Sequence, residues 1–109
     1  MICRRGGYIR VVPKPDTQRP AIVHNATASR FETRVDSQLC VADYALDGRR
    51  MSMTHTYVPP TLEGRGIAAA LVAEALAHAR REGWRVRPQC SYVARYMQRH
   101  PETLDLLDT

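Results

Sequence analysis

Residues 55–72 constrain the fold most, because the character of the sequence changes twice within them. The segment reads HTYVPPTLEGRGIAAALV: a β-prone run ends in two prolines, a loop with two glycines follows, and an alanine-rich helical pattern begins. A strand that enters a helix through small residues leaves the first amides of that helix accessible. The helix dipole favours an anion at this point, so the segment predicts a phosphate-binding turn.

Length and composition restrict the class of protein. The 109 residues, of which 44% are hydrophobic and 25% charged, suit one soluble globular domain. No stretch approaches the roughly 20 apolar residues that a membrane-spanning helix requires. The N-terminus lacks the apolar region of a secretory signal, so we expect a cytoplasmic protein.

The cysteines and histidines do not form a metal-binding pattern. Cys3, Cys40 and Cys90 are odd in number and far apart, without a CxxC pair. This argues against a disulfide framework and against a zinc site. The four histidines are scattered, so we expect no metal, and we expect Cys3 and Cys40 to be chemically inert.

The net charge of +5 comes almost wholly from arginine, since Lys14 is the only lysine. Arginine suits a partner rich in phosphate, whether nucleic acid or a phosphorylated cofactor. The arginines form no single block, and a solvated basic surface is the simpler interpretation. Nucleic-acid binding remains a weaker alternative, because the strands lack the exposed aromatic residues of a stacking platform.

The first half of the chain has the pattern of a β-sheet. Residues 1–20 show no period and are interpreted as an N-terminal extension, and residues 21–109 as one domain. Turn-forming residues, among them Asp36-Ser37 and Asp47-Gly48, separate β-prone runs and predict four consecutive antiparallel strands. Asp47-Gly48 is expected at the centre of a type I′ turn. The four predicted strands are residues 21–24, 29–35, 38–46 and 49–58.

The second half is mainly helical. A period of 3.6 residues predicts a helix that ends at Gly83, followed by a short strand over Trp84–Arg87 that Pro88 terminates. Ser91 is expected to cap a second helix over Tyr92–Arg99, with a last turn of leucines packed on the core. The apolar face of the first helix comprises Ile67, Leu71, Val72, Ala75, Leu76 and Ala79; the leucines are Leu104, Leu106 and Leu107. The order ββββ-α-β-α predicts an α/β (α+β) fold with a mixed sheet.

The glycine loop also matches the dinucleotide pattern GxGxxA over Gly64–Ala69. A dinucleotide fold requires a parallel sheet and an acidic ribose ligand, whereas these strands are hairpin-linked and residues 84–87 carry no acid. No GK[ST] follows, which excludes a mononucleotide P-loop. The glycines by themselves are equally explained as a tight strand-to-helix turn.

Strand, loop and helix together resemble the GCN5-related N-acetyltransferases (GNAT), whose cofactor-binding signature is [Q/R]xxGx[G/A]. The corresponding residues are Glu63-Gly64-Arg65-Gly66-Ile67-Ala68. The chain is more closely similar to the small YjdJ-type N-acetyltransferase-like domains, which share three motifs in this order over about residues 21–107. The motifs are His55-Thr56-Tyr57-Val58-Pro59-Pro60, Cys90-Ser91-Tyr92 and Arg99-His100-Pro101.

The resemblance implies a minimal GNAT-like sheet that lacks the usual N-terminal helices and uses acetyl-CoA as co-substrate. It implies that Tyr57 and Val58 lie beside the pantetheine arm of coenzyme A. We expect an amine of unknown identity, on a small molecule or a peptide, as acceptor, and a monomer or weak dimer. The resemblance further implies that the pyrophosphate is bound by the amides of Gly64, Arg65, Gly66, Ile67, Ala68 and Ala69.

Two positions depart from the family pattern. Glu63 replaces the usual Arg or Gln and brings a carboxylate near the expected phosphate, with Arg65 close enough in sequence to offset it. Tyr57 stands where many YjdJ-type sequences have Glu. These departures favour an alternative function, a CoA-binding module or sensor without transferase activity.

Two side chains are candidates for the chemistry. Cys90 precedes the second helix, whose dipole lowers the pKa of a thiol, although a free cysteine is more often a small buried hydrophobe. His55 lies near the end of the fourth strand. The alternative interpretation is a histidine that only makes a hydrogen bond within the sheet. We hypothesise that His55 assists either amine attack or transient acylation of Cys90. Tyr92 and Tyr96 are interpreted as core or pocket-wall residues.

Overall fold

A computed structural model describes residues 21–108, which form a five-stranded sheet with two α-helices packed on it. The predicted N-terminal extension lies outside the described residues. The predicted order of four strands, helix, strand and helix is confirmed. Neither α-helix of residues 21–108 is long and apolar enough to cross a membrane.

The strands lie in the sheet in their sequence order. The first four pair antiparallel, whereas the fourth and fifth pair in parallel. A parallel pair requires a crossover connection, and the first helix supplies it. The strands are β1 (Val23–Asn25), β2 (Arg30–Val35), β3 (Gln38–Asp47), β4 (Arg50–Tyr57) and β5 (Arg85–Pro88).

The two tight hairpins differ from each other. Asp36 and Ser37 connect β2 to β3 with φ values of +51° and +65°, the two positive angles that a type I′ turn needs. The β3–β4 turn has Gly48 and Arg49 at its centre, because Asp47 pairs with Arg50. Only Gly48 has a positive φ, so the prediction of a type I′ turn centred on Asp47-Gly48 was wrong.

The first helix, α1 (Ile67–Glu82), is the one predicted. All six residues of its predicted apolar face are buried in the core. Gly83 ends the helix with a φ of +73°, and its N–H reaches the carbonyls of Ala79 and Arg80. A left-handed residue at this position is the common way to satisfy the last carbonyls of a helix.

The C-terminal elements shift by one residue from their predicted bounds. Pro88 is the last residue of β5 rather than its breaker, which an edge strand tolerates. The second helix, α2 (Ser91–Arg99), has Cys90 and not Ser91 at its N-cap. The reason is tertiary, since the Cys90 N–H is bound to the Met53 carbonyl at 2.9 Å.

A 3₁₀ turn, Pro101–Leu106, follows α2 and packs the end of the chain onto the core. Leu106 is buried and Leu107 packs against the core. The expectation for Leu104 was wrong, because its side chain is exposed.

A β-bulge in β4 sets the direction of the side chains beyond it. Asp43 of β3 pairs with His55, but the next residue, Tyr44, pairs with Met53, so Thr54 is left over. Such an extra residue shifts the alternation of side chains along the strand. As a result Met53 and Thr56 share the face that packs on the helices, while His55 faces away from them.

Candidate functional site

A cavity of about 640 Å³ lies beside the end of β4. Its wall combines the last residues of β4, the loop to α1, the first turn of α1 and one residue of α2. These residues are Thr56, Tyr57, Val58, Pro60, Leu62, Glu63, Gly64, Gly66, Ile67, Ala68, Ala69 and Tyr92. The strand-to-helix segment singled out in the sequence therefore forms most of the wall.

The N-terminus of α1 presents free backbone amides at this cavity. The first bond within the helix runs from the Ala70 N–H to the Gly66 carbonyl, so the amides of residues 67–69 have no partner in the helix. No side chain caps this end, and no acidic residue lies in the first turn. These amides and the helix dipole together suit an anionic group.

Gly64 and Gly66 are required by backbone conformation. Their φ values are +87° and +79°, in a region that residues with a Cβ rarely adopt. A Cβ at either position would meet no atom of residues 21–108 within 4 Å, so the space beside the loop is open.

The predicted cofactor residues lie in the cavity wall with one exception. Arg65 is not part of the wall, and its Nη1 lies 3.3 Å from Oδ2 of Asp36 in the β2–β3 turn. Glu63, in contrast, lines the cavity. The wall thus contains the acidic residue of this loop but not its arginine, which is paired with Asp36.

The end of β4 also offers backbone groups. Pairing with β5 ends at Met53, while β3 continues to pair with β4 as far as Tyr57. Within residues 21–108, β4 therefore has one edge without a neighbouring strand from Thr54 to Tyr57. Such an edge can hydrogen-bond an extended ligand.

Cys90 lies next to the cavity wall at the N-terminus of α2. Its Sγ is 3.7 Å from Oγ1 of Thr56, which lines the cavity. Burial raises the pKa of the thiol, but donors outweigh this and hold it below its ordinary value. They are the backbone amides of Val93, Tyr92 and Thr56 and the Thr56 hydroxyl. Cys40, by comparison, is fully buried, and burial raises its pKa.

His55 lies on the other face of β4 from the thiol. Its Nδ1 is 3.5 Å from Oδ2 of Asp43, and its ring stacks on Tyr57 with 6.4 Å between centroids. No hydrogen bond joins His55 to Cys90 among the residues that the structure describes. The bulge explains this, since Thr56 takes the inward position beside the thiol.

Sequence reasoning missed Thr56 and Asp43, which contact the two candidate residues. Regular alternation from Met51 and Met53 would direct His55 inward, toward the helices. The only available signal was the polar run Thr54–Thr56, which interrupts that alternation. Tyr92 is a pocket-wall residue, one of the two roles expected for it.

The Arg99-His100-Pro101 motif forms a junction between helices. His100 ends α2, and its carbonyl accepts bonds from the Thr103 N–H and hydroxyl in the following turn. The His100 ring stacks on Tyr96 with 4.1 Å between centroids. None of the three motif residues lines the cavity.

Comparison with known proteins identifies the family. The family model of the GCN5-related N-acetyltransferases matches residues 30–106. The fold is similar to the NMR solution structure of a GCN5-like protein from Staphylococcus aureus, with a TM-score of 0.67 and 20% identity. The likeness covers 83% of this chain and 89% of that chain, and at this identity it bears on the fold alone. Because the family model spans most of the domain, the chain belongs to the GCN5-related N-acetyltransferase family.

Proposed function

We propose that this protein is an acetyl-CoA-dependent N-acyltransferase. The observation that carries the proposal is one cavity that joins the first amides of α1 to the edge of β4 that has no neighbouring strand. In the proposed complex the pyrophosphate of coenzyme A lies on the amides of residues 64–69. The pantetheine arm extends along Thr56–Val58 as an added strand would.

The transfer forms a carbon–nitrogen bond and breaks the thioester carbon–sulfur bond. The acceptor amine gives up one proton, and coenzyme A leaves as a thiol. Two routes have support in the chain. In the direct route the amine attacks the acetyl group and His55 takes the proton, while in the covalent route the Cys90 thiolate is acylated first. The donors around Cys90 support its thiolate form.

Cofactor binding is tested with a pair of alanine substitutions in α1. Ala69→Asp adds a carboxylate among the free amides, whereas Ala73→Asp adds one about a turn later on the exposed side of the helix. We expect Ala69→Asp to weaken CoA binding at least tenfold by calorimetry and Ala73→Asp to leave it unchanged. Equal affinity in both variants, or no binding by the wild type, would overturn this site.

The covalent route is tested by intact mass. Wild-type protein incubated with acetyl-CoA, without an amine, gains one acetyl group if Cys90 is acylated, and Cys90→Ser gains none. An unmodified wild type with undiminished turnover in Cys90→Ser leaves only the direct route.

One observation favours a second function, a CoA-binding module without transferase activity. Glu63, an acidic residue, lines the cavity where the family pattern has Arg or Gln. This function predicts CoA binding with no acetylation of any amine in a panel of polyamines, aminoglycosides and basic peptides. Acetylation of one amine in that panel excludes it.

A further inference from the structure

Asp43 and His55 form a pair on the sheet face that points away from the helices. They are directly opposite each other across β3 and β4, with Nδ1 and Oδ2 3.5 Å apart. The His55 side chain is 61% exposed and that of Asp43 is 36% exposed. Tyr57, whose ring stacks on His55, also lines the cofactor cavity.

The bulge creates this pair. With regular alternation His55 would share the inner face with Met53, and Asp43 would lose its cross-strand partner. The Thr54 hydroxyl contacts the Asp43 carbonyl at 3.5 Å and so joins the bulge to β3. The extra residue therefore turns His55 outward, onto the Asp43 carboxylate.

The arginine beside Asp43 is paired with another carboxylate, whereas Asp43 is paired with His55. Arg30 lies opposite Asp43 on β2. Its Nε instead binds Glu32 at 2.6 Å. The carboxylate of Asp43 is thus directed to the imidazole.

An ionised carboxylate accepts hydrogen bonds and donates none. The imidazole nitrogen that faces Asp43 is Nδ1, at 3.5 Å, and a proton on it can be donated to the carboxylate, which favours the Nδ1–H tautomer of neutral His55. The other nitrogen, Nε2, then has a free lone pair. A fixed tautomer with an exposed acceptor nitrogen is what a general base requires.

We infer that Asp43 is a positioning residue for His55, and that Nε2 of His55 takes the proton of an acceptor amine approaching across the outer face of the sheet. This inference rests on the proposed acyl transfer and on its direct route. The amine nitrogen attacks the thioester carbonyl, the carbon–sulfur bond breaks, and the amine proton passes to Nε2. The thiolate of coenzyme A then takes up that proton through solvent.

The tautomer of His55 gives a test that needs no acetyl transfer. Side-chain ¹⁵N shifts measured above pH 8 are expected to show mainly the Nδ1–H form in the wild type and mainly the Nε2–H form in Asp43→Ala. Asp47→Ala, an exposed substitution on the same strand, is the matched control and should keep the wild-type shifts. Unchanged shifts in Asp43→Ala would remove Asp43 from this role.

Kinetics test the base itself. His55→Gln is expected to lower kcat by about 100-fold, the low end for loss of a general base. Asp43→Ala should lower kcat about tenfold and leave KM for acetyl-CoA unchanged, since neither residue lines the cavity. Full turnover in His55→Gln would overturn the base role while acyl transfer itself stands. A wild type that binds CoA but acetylates no amine refutes the proposed function and the base role together. The tautomer measurement then still tests whether Asp43 positions His55.

Discussion

Glu63 is an acidic residue at a position where the signature of the family has Arg or Gln. Glu63 lines the cavity, while Arg65 of the same loop lies outside the wall and is paired with Asp36. The sequence predicted that Arg65 would offset the charge of Glu63. In the structure Arg65 is paired with Asp36 instead. Of the described residues that line the cavity, Glu63 alone is of a charged type.

Removal of the Glu63 charge should strengthen cofactor binding. We expect Glu63→Gln to lower the Kd for CoA by about three- to tenfold, a repulsion of roughly 1 kcal/mol between charges near a protein surface. The gain should shrink at 1 M salt, where the Debye length is about 3 Å. Calorimetry at two salt concentrations measures both effects. Glu82→Gln, at the far end of α1, serves as the control, and a Glu63→Gln protein with weaker binding contradicts the argument.

At the scale of the element, α1 is the clearest case in which a local pattern predicts a structure. The 3.6-residue period and Gly83 were sufficient to predict its buried face and its end. Its beginning depends on Gly66, whose left-handed conformation directs the first amides of the helix toward the cavity wall. The two ends of α1 thus have the same backbone requirement, but only the N-terminal end lies beside the cavity.

Because of this difference, substitutions at the two ends of α1 can separate an effect on the stability of the fold from an effect on CoA binding. Gly66→Ala and Gly83→Ala each place a Cβ on a residue with φ near +75°, at +79° and +73°. We expect each to lower the free energy of unfolding by about 1 kcal/mol in urea titrations. Only Gly66→Ala should also weaken CoA binding, because it alters the amides beside the cavity. Equal CoA affinity in the two variants would mean that the N-terminus of α1 does not bind the cofactor.

At the scale of the whole molecule, an aromatic cluster joins the edge strand β1 to the rest of the domain. His24 of β1 stacks on Phe31 with 4.3 Å between centroids, and its Nε2 is 2.7 Å from the Tyr44 hydroxyl. The His78 ring of α1 meets His24 edge-on at 4.4 Å. Trp84 completes the cluster beside His78.

The cluster predicts that stability falls in mild acid. Burial, and next the charge of His78, lower the pKa of His24 below its ordinary value of 6.5, although Glu82 opposes this. Neutral His24 therefore contributes stability above pH 6.5, and this contribution is lost as the pH falls through the lower folded-state pKa. Urea unfolding between pH 8 and pH 5 should show the decline, and His24→Gln should show a shallower one. Parallel curves for the two proteins would refute this assignment.

The sequence by itself determined the elements of this protein and the position of its glycine loop. Hydrophobic period, turn residues and glycine positions act over a few neighbouring residues, so the order of the elements, the buried face of α1 and the Gly64–Ala69 loop could all be predicted from them. The predicted bounds of an element were less accurate where a residue distant in sequence binds to its end. Cys90 became the N-cap of α2 because its amide binds Met53 on another element.

Only the tertiary structure decided on which face of the sheet each candidate residue lies. The bulge arises from the register between β3 and β4, and a register is a property of two paired strands rather than of either sequence. The bulge places His55 beside Asp43 on one face of the sheet and Thr56 beside Cys90 on the other face. Likewise, Arg65 turns to Asp36 because a hairpin remote in sequence ends beside its loop. Local patterns cannot specify such contacts, because they form only when separate elements pack together.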